Sequence, residues 1–263
     1  MKKITINTLS DMKRNGERIA VLTAYDAAFA RVIDKAGVDV ILVGDSLGMV
    51  LQGADDTLRV SMQDMIYHTR SVCAGSQRAF IVTDLPYMSY ATPARALGNA
   101  ERLLRECGAE MVKLEGGEVV VDVVRHLSDH SIPVCAHLGL TPQSVHKLGG
   151  FQVQGRDAAT AQQILADAKL LQNAGAAMLV LECVPHTLAA EVTRELAIPV
   201  IGIGAGSACD GQVLVMHDML GISGYQMRFS RNFMAEAQSI SAAIENYVSA
   251  VKAGTFPGSE HQF

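Results

Sequence analysis

This sequence lacks any uninterrupted apolar run approaching the roughly 18 residues of a membrane span, so no transmembrane segment is expected. Met1-Lys2-Lys3 carries the charge of a secretory leader, but no apolar stretch follows it. Cysteine is sparse and scattered. Cys73, Cys107, Cys135, Cys183 and Cys209 are odd in number, widely spaced and mostly set in apolar runs. That pattern excludes a disulfide framework or a clustered zinc site and reads as reduced core residues of a cytoplasmic protein. Positive charge is also short, with 22 Lys and Arg against 27 Asp and Glu, a net charge of −5. No electrostatic footprint for nucleic acid or an anionic membrane is present. Nor does any low-complexity segment, charge block or Pro/Gly-rich linker divide the chain. A single catalytic domain over residues 1–263 is the expectation.

What is abundant is apolar residues, 49% of the chain, enough for a substantial core. They fall in short β-branched runs, of which Val38–Val43 is the pattern: a strongly apolar stretch stopped by Gly44, then Asp45 and Ser46. Periodicity alone cannot separate a buried strand from a helix fragment. Length, β-branching and the closing Gly-Asp-Ser favour a parallel strand buried on both faces. Similar runs are Ile19–Tyr25, Phe80–Leu85, Met111–Leu114, Pro133–Leu138, Met178–Glu182, Pro199–Ile203 and Gln212–His217, which makes eight strands.

Helical patterns separate them. Thr92 supplies an N-cap, Pro93 the first helical position, and Gly108 the stop after Ala96, Ala100, Leu103 and Cys107 at helical spacing. Val119, Val120, Val123, Val124 and Leu127 mark a second apolar face. A short helix is expected over residues 4–15. A last one carries Phe233, Ala237, Ile240, Ile244, Tyr247 and Val251, packed on the barrel exterior or a neighbouring subunit. Strands alternating with helices imply a parallel sheet with right-handed crossovers. Eight repeats without a dinucleotide fingerprint favour an α/β (β/α)8 TIM barrel with an N-terminal helix and a C-terminal helical extension. Two connections, Gly44–Ser61 and Gly139–Ala159, are longer than a bare turn needs and are candidates to cover a site.

A barrel gathers the carboxyl ends of its strands around one mouth. Those ends carry Asp26, Asp45 with Ser46, Asp84, Lys113 with Glu115, His137, Glu182, the Gly202–Gly206 turn, and His217 with Asp218. Asp26 and Asp218 read as helix caps. Asp45 and Asp84 are oxygen donors suited to a hard ion such as Mg²⁺, with Glu115 adding a ligand through water. In the plainer reading one Asp caps a helix and the other pairs with Lys113. Lys113 alternates with apolar neighbours and so points inward, either as a cation for a carboxylate or oxyanion or as a Schiff-base nucleophile. Glu182 is a general base or acid, or else a salt-bridge partner of Lys113 or an arginine. His137 is either a hydrogen-bond donor to a substrate oxygen or a satisfied core histidine. The Gly202–Gly206 turn either holds a phosphate or admits close backbone approach.

Several longer segments resemble the ketopantoate hydroxymethyltransferase family. They include Val43-Gly44-Asp45-Ser46-Leu47-Gly48-Met49, Asp84-Leu85-Pro86-Tyr87-Met88, Met111-Val112-Lys113-Leu114-Glu115-Gly116-Gly117, His137-Leu138-Gly139-Leu140-Thr141-Pro142-Gln143-Ser144, and Leu181-Glu182-Cys183-Val184-Pro185. The likeness runs from about residue 20 to Phe256-Pro257 and is loose over the N-terminal helix. Arg59 stands where the family usually has proline.

The resemblance implies a (β/α)8 barrel assembled as a homodecamer. It implies transfer of a hydroxymethyl group from 5,10-methylenetetrahydrofolate to 3-methyl-2-oxobutanoate through an Mg²⁺-stabilised enolate, with one Mg²⁺ per subunit. Carried onto this sequence, Asp45 and Asp84 resemble the metal ligands with Glu115 at the metal. Ser46, Asp84 and Lys113 resemble the oxoacid contacts, and Glu182 the proton acceptor. Three other readings stand beside it: a metal-dependent 2-oxoacid aldolase or lyase, a Schiff-base aldolase using Lys113, and a non-catalytic ligand-binding barrel.

Overall fold

In the computed structural model, which describes residues 2–263, each apolar run becomes a parallel strand. The strands are β1 (Ile19–Thr23), β2 (Val40–Val43), β3 (Phe80–Asp84), β4 (Met111–Glu115), β5 (Val134–Gly139), β6 (Met178–Glu182), β7 (Val200–Ile203) and β8 (Gly211–Leu214). They pair in sequence order, and β8 returns to β1 to close the barrel. The β-branched runs are therefore strands: β6 keeps its expected bounds, β4 and β5 each run one residue further at the carboxyl end, β8 begins one residue earlier, and the remaining shifts trim the expected runs by one to three residues.

Period-two alternation sorts the side chains into two cores. Phe80 and Val82, Met111, Cys135, Met178 and Val180, and Ile201 fill the barrel interior in apolar layers. Leu9 and Met12 of the helix Ile6–Arg14 join this interior cluster, so the N-terminal helix packs on the barrel core. The intervening residues, among them Ile41, Val112, Leu114, Ala136 and Leu181, face outward into a second core beneath the helices. One step further along β3, β4, β5 and β6, the inward sequence turns polar, at Asp84, Lys113 and Glu115, His137 and Glu182. The apolar layers fix the floor, and the polar layer stands at the carboxyl-end mouth where barrel enzymes do their chemistry.

The helix Pro93–Cys107 begins and ends as its sequence dictates. Thr92 accepts from the Arg95 backbone N–H, and Gly108 closes it at φ +88°. Two expectations need correction. Val119 is 87% exposed, because Glu118–Val120 forms a 3₁₀ turn whose tighter screw swings it off the apolar face of the helix Val121–Asp129. The continuous final helix also breaks in two. Phe233 lies in a separate 3₁₀ turn, Phe233–Glu236, and Ser239 caps a new helix, Ile240–Lys252, through the Ala242 N–H. Ile240 is consequently 43% exposed, while Ile244, Tyr247 and Val251 stay buried. The Tyr247 hydroxyl lies 2.8 Å from the Val21 carbonyl oxygen and 2.9 Å from that of Gln212, which fastens this helix across the β1–β8 seam. Among the described residues no helix is long and apolar enough to cross a membrane.

Candidate active site

Strand register assembles the site. Asp84 and Lys113 are Cα partners across β3 and β4, and the Lys113 ammonium donates to Asp84 Oδ1 at 2.6 Å. Glu115 and His137 are partners across β4 and β5, with Nδ1 3.4 Å from Glu115 Oε1. On its other side, His137 Nε2 lies 3.3 Å from Glu182 Oε2 at the end of β6. Neither imidazole approach is aligned as a hydrogen bond, so both act as close charge contacts. Asp45, just past β2, donates its backbone N–H to Asp84 Oδ2 at 3.0 Å. Ser46 Oγ lies 2.9 Å from the Tyr25 hydroxyl.

All seven residues singled out from the sequence (Asp45, Ser46, Asp84, Lys113, Glu115, His137 and Glu182) line one cavity of about 620 Å³ at the barrel mouth. The two long connections wall it, supplying Met49, Val50 and Thr57 from the first and Leu140, Pro142 and Phe151 from the second. The Gly202–Gly206 turn serves close approach. A Cβ at Gly204 would stand 3.1 Å from the Phe263 ring and 3.2 Å from Phe229, and its φ of +61° suits glycine.

Electrostatics follow from burial. Asp45, Asp84, Lys113, Glu115 and His137 are each at most 6% exposed, so each charge must be answered locally. Burial opposes the Lys113 charge, but Asp84, Glu115 and Asp45 outweigh it and raise its pKa, holding it as an ammonium. Burial and Lys113 likewise oppose protonation of His137, yet Glu115 and Glu182 push it up to about 9. Asp45 shows the converse. Burial first, and then the neighbouring Asp84 and Glu115, hold its carboxyl well above the usual range. The acids at this rim are short of positive charge.

Gln143, Tyr90 and Tyr25 were not singled out from the sequence, and Asp218 was misread as a helix cap. Gln143, in the connection after β5, donates from Nε2 to Asp45 Oδ2 at 2.8 Å and to the Leu85 carbonyl at 3.0 Å. Its backbone N–H donates to Glu115 Oε2 at 2.9 Å, and its Oε1 accepts from the Tyr90 hydroxyl. Tyr25 holds Ser46. Asp218 does not cap a helix. It lies inside the short helix Met216–Met219, lines the cavity, and has its carboxyl raised by burial. Asp26 does cap the helix Ala27–Lys35, as its position suggested. Gln143 and Tyr25 belong to motifs visible in the sequence, but an amide and a phenol announce no chemistry until their partners are known. Among the described residues no three His, Cys, Asp or Glu side chains form a ready-made metal cluster.

Comparison with known proteins shows the fold and the family. Solved structures share the fold at low identity. A putative phosphonomutase from Burkholderia cenocepacia superposes with a TM-score of 0.65 at 18% identity, over 82% of this chain and 94% of that one. A phosphonopyruvate hydrolase gives 0.64 at 12% identity, over 85% and 84%. Closer relatives are 3-methyl-2-oxobutanoate hydroxymethyltransferases. That of Aeromonas hydrophila is 58% identical over 264 residues, covering all of both chains. That of Nitrosococcus oceani is 58% identical over 98% of each. The family profile described as ketopantoate hydroxymethyltransferase matches residues 3–259. With that profile spanning the barrel and its acid-lined mouth, the chain belongs to the ketopantoate hydroxymethyltransferase family.

Proposed function

We propose that the chain transfers a hydroxymethyl group from 5,10-methylenetetrahydrofolate to 3-methyl-2-oxobutanoate, consuming one water that supplies the new hydroxyl and giving 2-dehydropantoate and tetrahydrofolate. The observation that carries this reading is the coincidence of names and geometry. Relatives named as 3-methyl-2-oxobutanoate hydroxymethyltransferases match the whole barrel, and the cavity holds buried acids around one ammonium. Small molecules are its partners. The free cysteines fit a cytoplasmic setting, and the chain assembles as the homodecamer that the family resemblance implies.

The donor set fits Mg²⁺. Asp45, Asp84 and Glu115 bring three buried carboxylates against the single ammonium of Lys113, and Asp45 is left under-neutralised. These are hard oxygen donors without sulfur, and Mg²⁺ takes one or two carboxylates while keeping waters. Asp45 and Asp84 would hold it. Glu115, whose Oε2 already accepts from Gln143, would reach it only through water. When bound, the ion supplies Lewis acidity to the keto oxygen of the oxoacid.

The chain's own groups do the rest. Lys113 stays protonated and adds positive charge beside the enolate oxygen, which favours charge developing there over the neutral ketone. The same locked ammonium argues against a Schiff base, since a nucleophilic amine must be neutral. Glu182 takes the proton from carbon 3. His137, cationic between Glu115 and Glu182, holds the Glu182 carboxylate toward the cavity. Both nitrogens of His137 face carboxylates at 3.3–3.4 Å, so we assign it to positioning in preference to substrate contact. Ser46, held by Tyr25, contacts the oxoacid. The walls built by the two long connections hold back bulk water at the one-carbon unit while admitting the one water that becomes the product hydroxyl.

The test is direct. The purified chain should form 2-dehydropantoate, seen by mass spectrometry, only when the oxoacid, the folate donor and Mg²⁺ are all present. Borohydride should trap no adduct on Lys113. Product formed in EDTA, or a trapped lysine adduct, would overturn this assignment.

A further inference from the structure

The acid ring occupies only the inner end of the cavity. At about 620 Å³ the space is that of a drug-sized ligand, far beyond a five-carbon oxoacid. Its outer end has different chemistry. Phe151, Phe229 and Phe263 line it with Arg156 and Arg228. Among the described residues neither arginine has a carboxylate partner, although the chain as a whole is acidic. Arg228 instead stacks over the Phe263 ring, 5.0 Å from its centroid, and donates from Nε to the Glu260 carbonyl at 3.3 Å.

Phe263 reaches this place because the tail folds back over the mouth. The His186 backbone N–H donates to the Phe263 carbonyl oxygen at 2.8 Å, and His186 Nδ1 lies 2.9 Å from the same atom. The absent side chain of Gly204 makes room for the ring. An apolar aromatic wall suits a flat heteroaromatic ring, and unpaired guanidinium groups beside it suit carboxylates. The inner chamber offers the reverse, an excess of acids.

We propose that this outer chamber seats the folate donor, with Phe263 as the specificity-determining wall against its ring system and Arg156 and Arg228 receiving its glutamate carboxylates. The inference rests on the hydroxymethyl-transfer reading and adds to it the residues that distinguish the donor from the oxoacid.

The test is equilibrium binding to the full chain by calorimetry. Phe263→Ala and Phe263→Leu should each weaken tetrahydrofolate about tenfold, the equivalent of ~1.4 kcal/mol. Phe263→Tyr should restore it, and all three should change oxoacid affinity by less than about twofold, against that same tenfold-per-1.4-kcal/mol scale. Arg156→Met and Arg228→Met should weaken tetrahydrofolate but leave tetrahydropteroate, which lacks the glutamate, unchanged. Wild-type donor affinity in both Phe263→Ala and Phe263→Leu would overturn the assignment, as would equal loss of donor and oxoacid. If wild type binds no tetrahydrofolate at all, the transfer reading itself falls. If wild type binds it and only the Phe263 variants behave as wild type, this inference alone falls.

Discussion

Gln143 and Asp45, 98 positions apart, are joined by a 2.8 Å hydrogen bond that fixes one oxygen of the carboxylate at the centre of the site. The same amide also satisfies the Leu85 carbonyl, and the Gln143 backbone ties down Glu115. One residue of a connecting loop thus sets the orientation of two acids from different strands. Groups that orient metal-binding carboxylates commonly govern affinity as strongly as a ligand does.

Gln143→Ala should therefore weaken Mg²⁺ binding by ~10–100-fold, the usual effect of losing an orienting partner. Calorimetric titration of the ion in the presence of the oxoacid measures it. An affinity equal to wild type would show that Asp45 orients itself.

Lys113→Met should destabilise the fold by ~3–5 kcal/mol, because it leaves Asp84 buried without its cation. Equilibrium denaturation by guanidinium reads this loss. Asp84→Asn combined with Lys113→Met should recover part of it, whereas simple additivity of the two losses would contradict a shared ion pair.

Gly139 faces Glu182 across β5 and β6 at φ +90°, and a Cβ there would stand 2.2 Å from the Glu182 carbonyl oxygen. Gly139→Ala should cost ~1–3 kcal/mol in backbone strain and displace Glu182 from its place beside His137. The expected result is a fall in kcat of at least about a hundredfold, the usual penalty of an ångström-scale misplacement, with little change in oxoacid KM. A variant with unaltered kcat would show that Glu182 tolerates the shift.

Acid stability should depend on Asp34, which is 8% exposed. Burial opposes its ionisation. The Ala79, Gln77 and Arg78 backbone N–H groups and the Ser76 hydroxyl outweigh that and lower its pKa. The unfolded chain therefore takes up the proton first as pH falls. The stabilisation is fully present above the ordinary aspartate pKa, near 3.9, and is lost as pH drops through the lower folded value. Asp34→Asn should be less stable than wild type by ~1–3 kcal/mol at pH 7. The gap in urea midpoint should narrow toward pH 3. A gap independent of pH would refute the charge-based account.

The barrel was legible because its signal is redundant. Each of eight β-branched runs between turn residues reads as a buried strand, and their alternation with helices leaves few topologies. The acids at the strand ends were legible for the same reason: alternation along β4 places Lys113 and Glu115 inward. What stayed hidden depends on contacts between distant segments. Gln143 matters through Asp45 and Glu115, Tyr25 through Ser46, and Asp218 through the cavity it faces. The break at Ser239 and the outward turn of Val119 are capping and 3₁₀ choices that an apolar periodicity does not encode.

The most direct trial of the central claim is hydrogen–deuterium exchange at carbon 3 of 3-methyl-2-oxobutanoate, followed by NMR without any folate. Wild type should exchange this proton with Mg²⁺ and not with EDTA, while Asp84→Ala and Glu182→Gln should each lose the exchange. Full exchange in Asp84→Ala, or in wild type stripped of metal, would contradict a site built to hold an ion beside the reacting ketone.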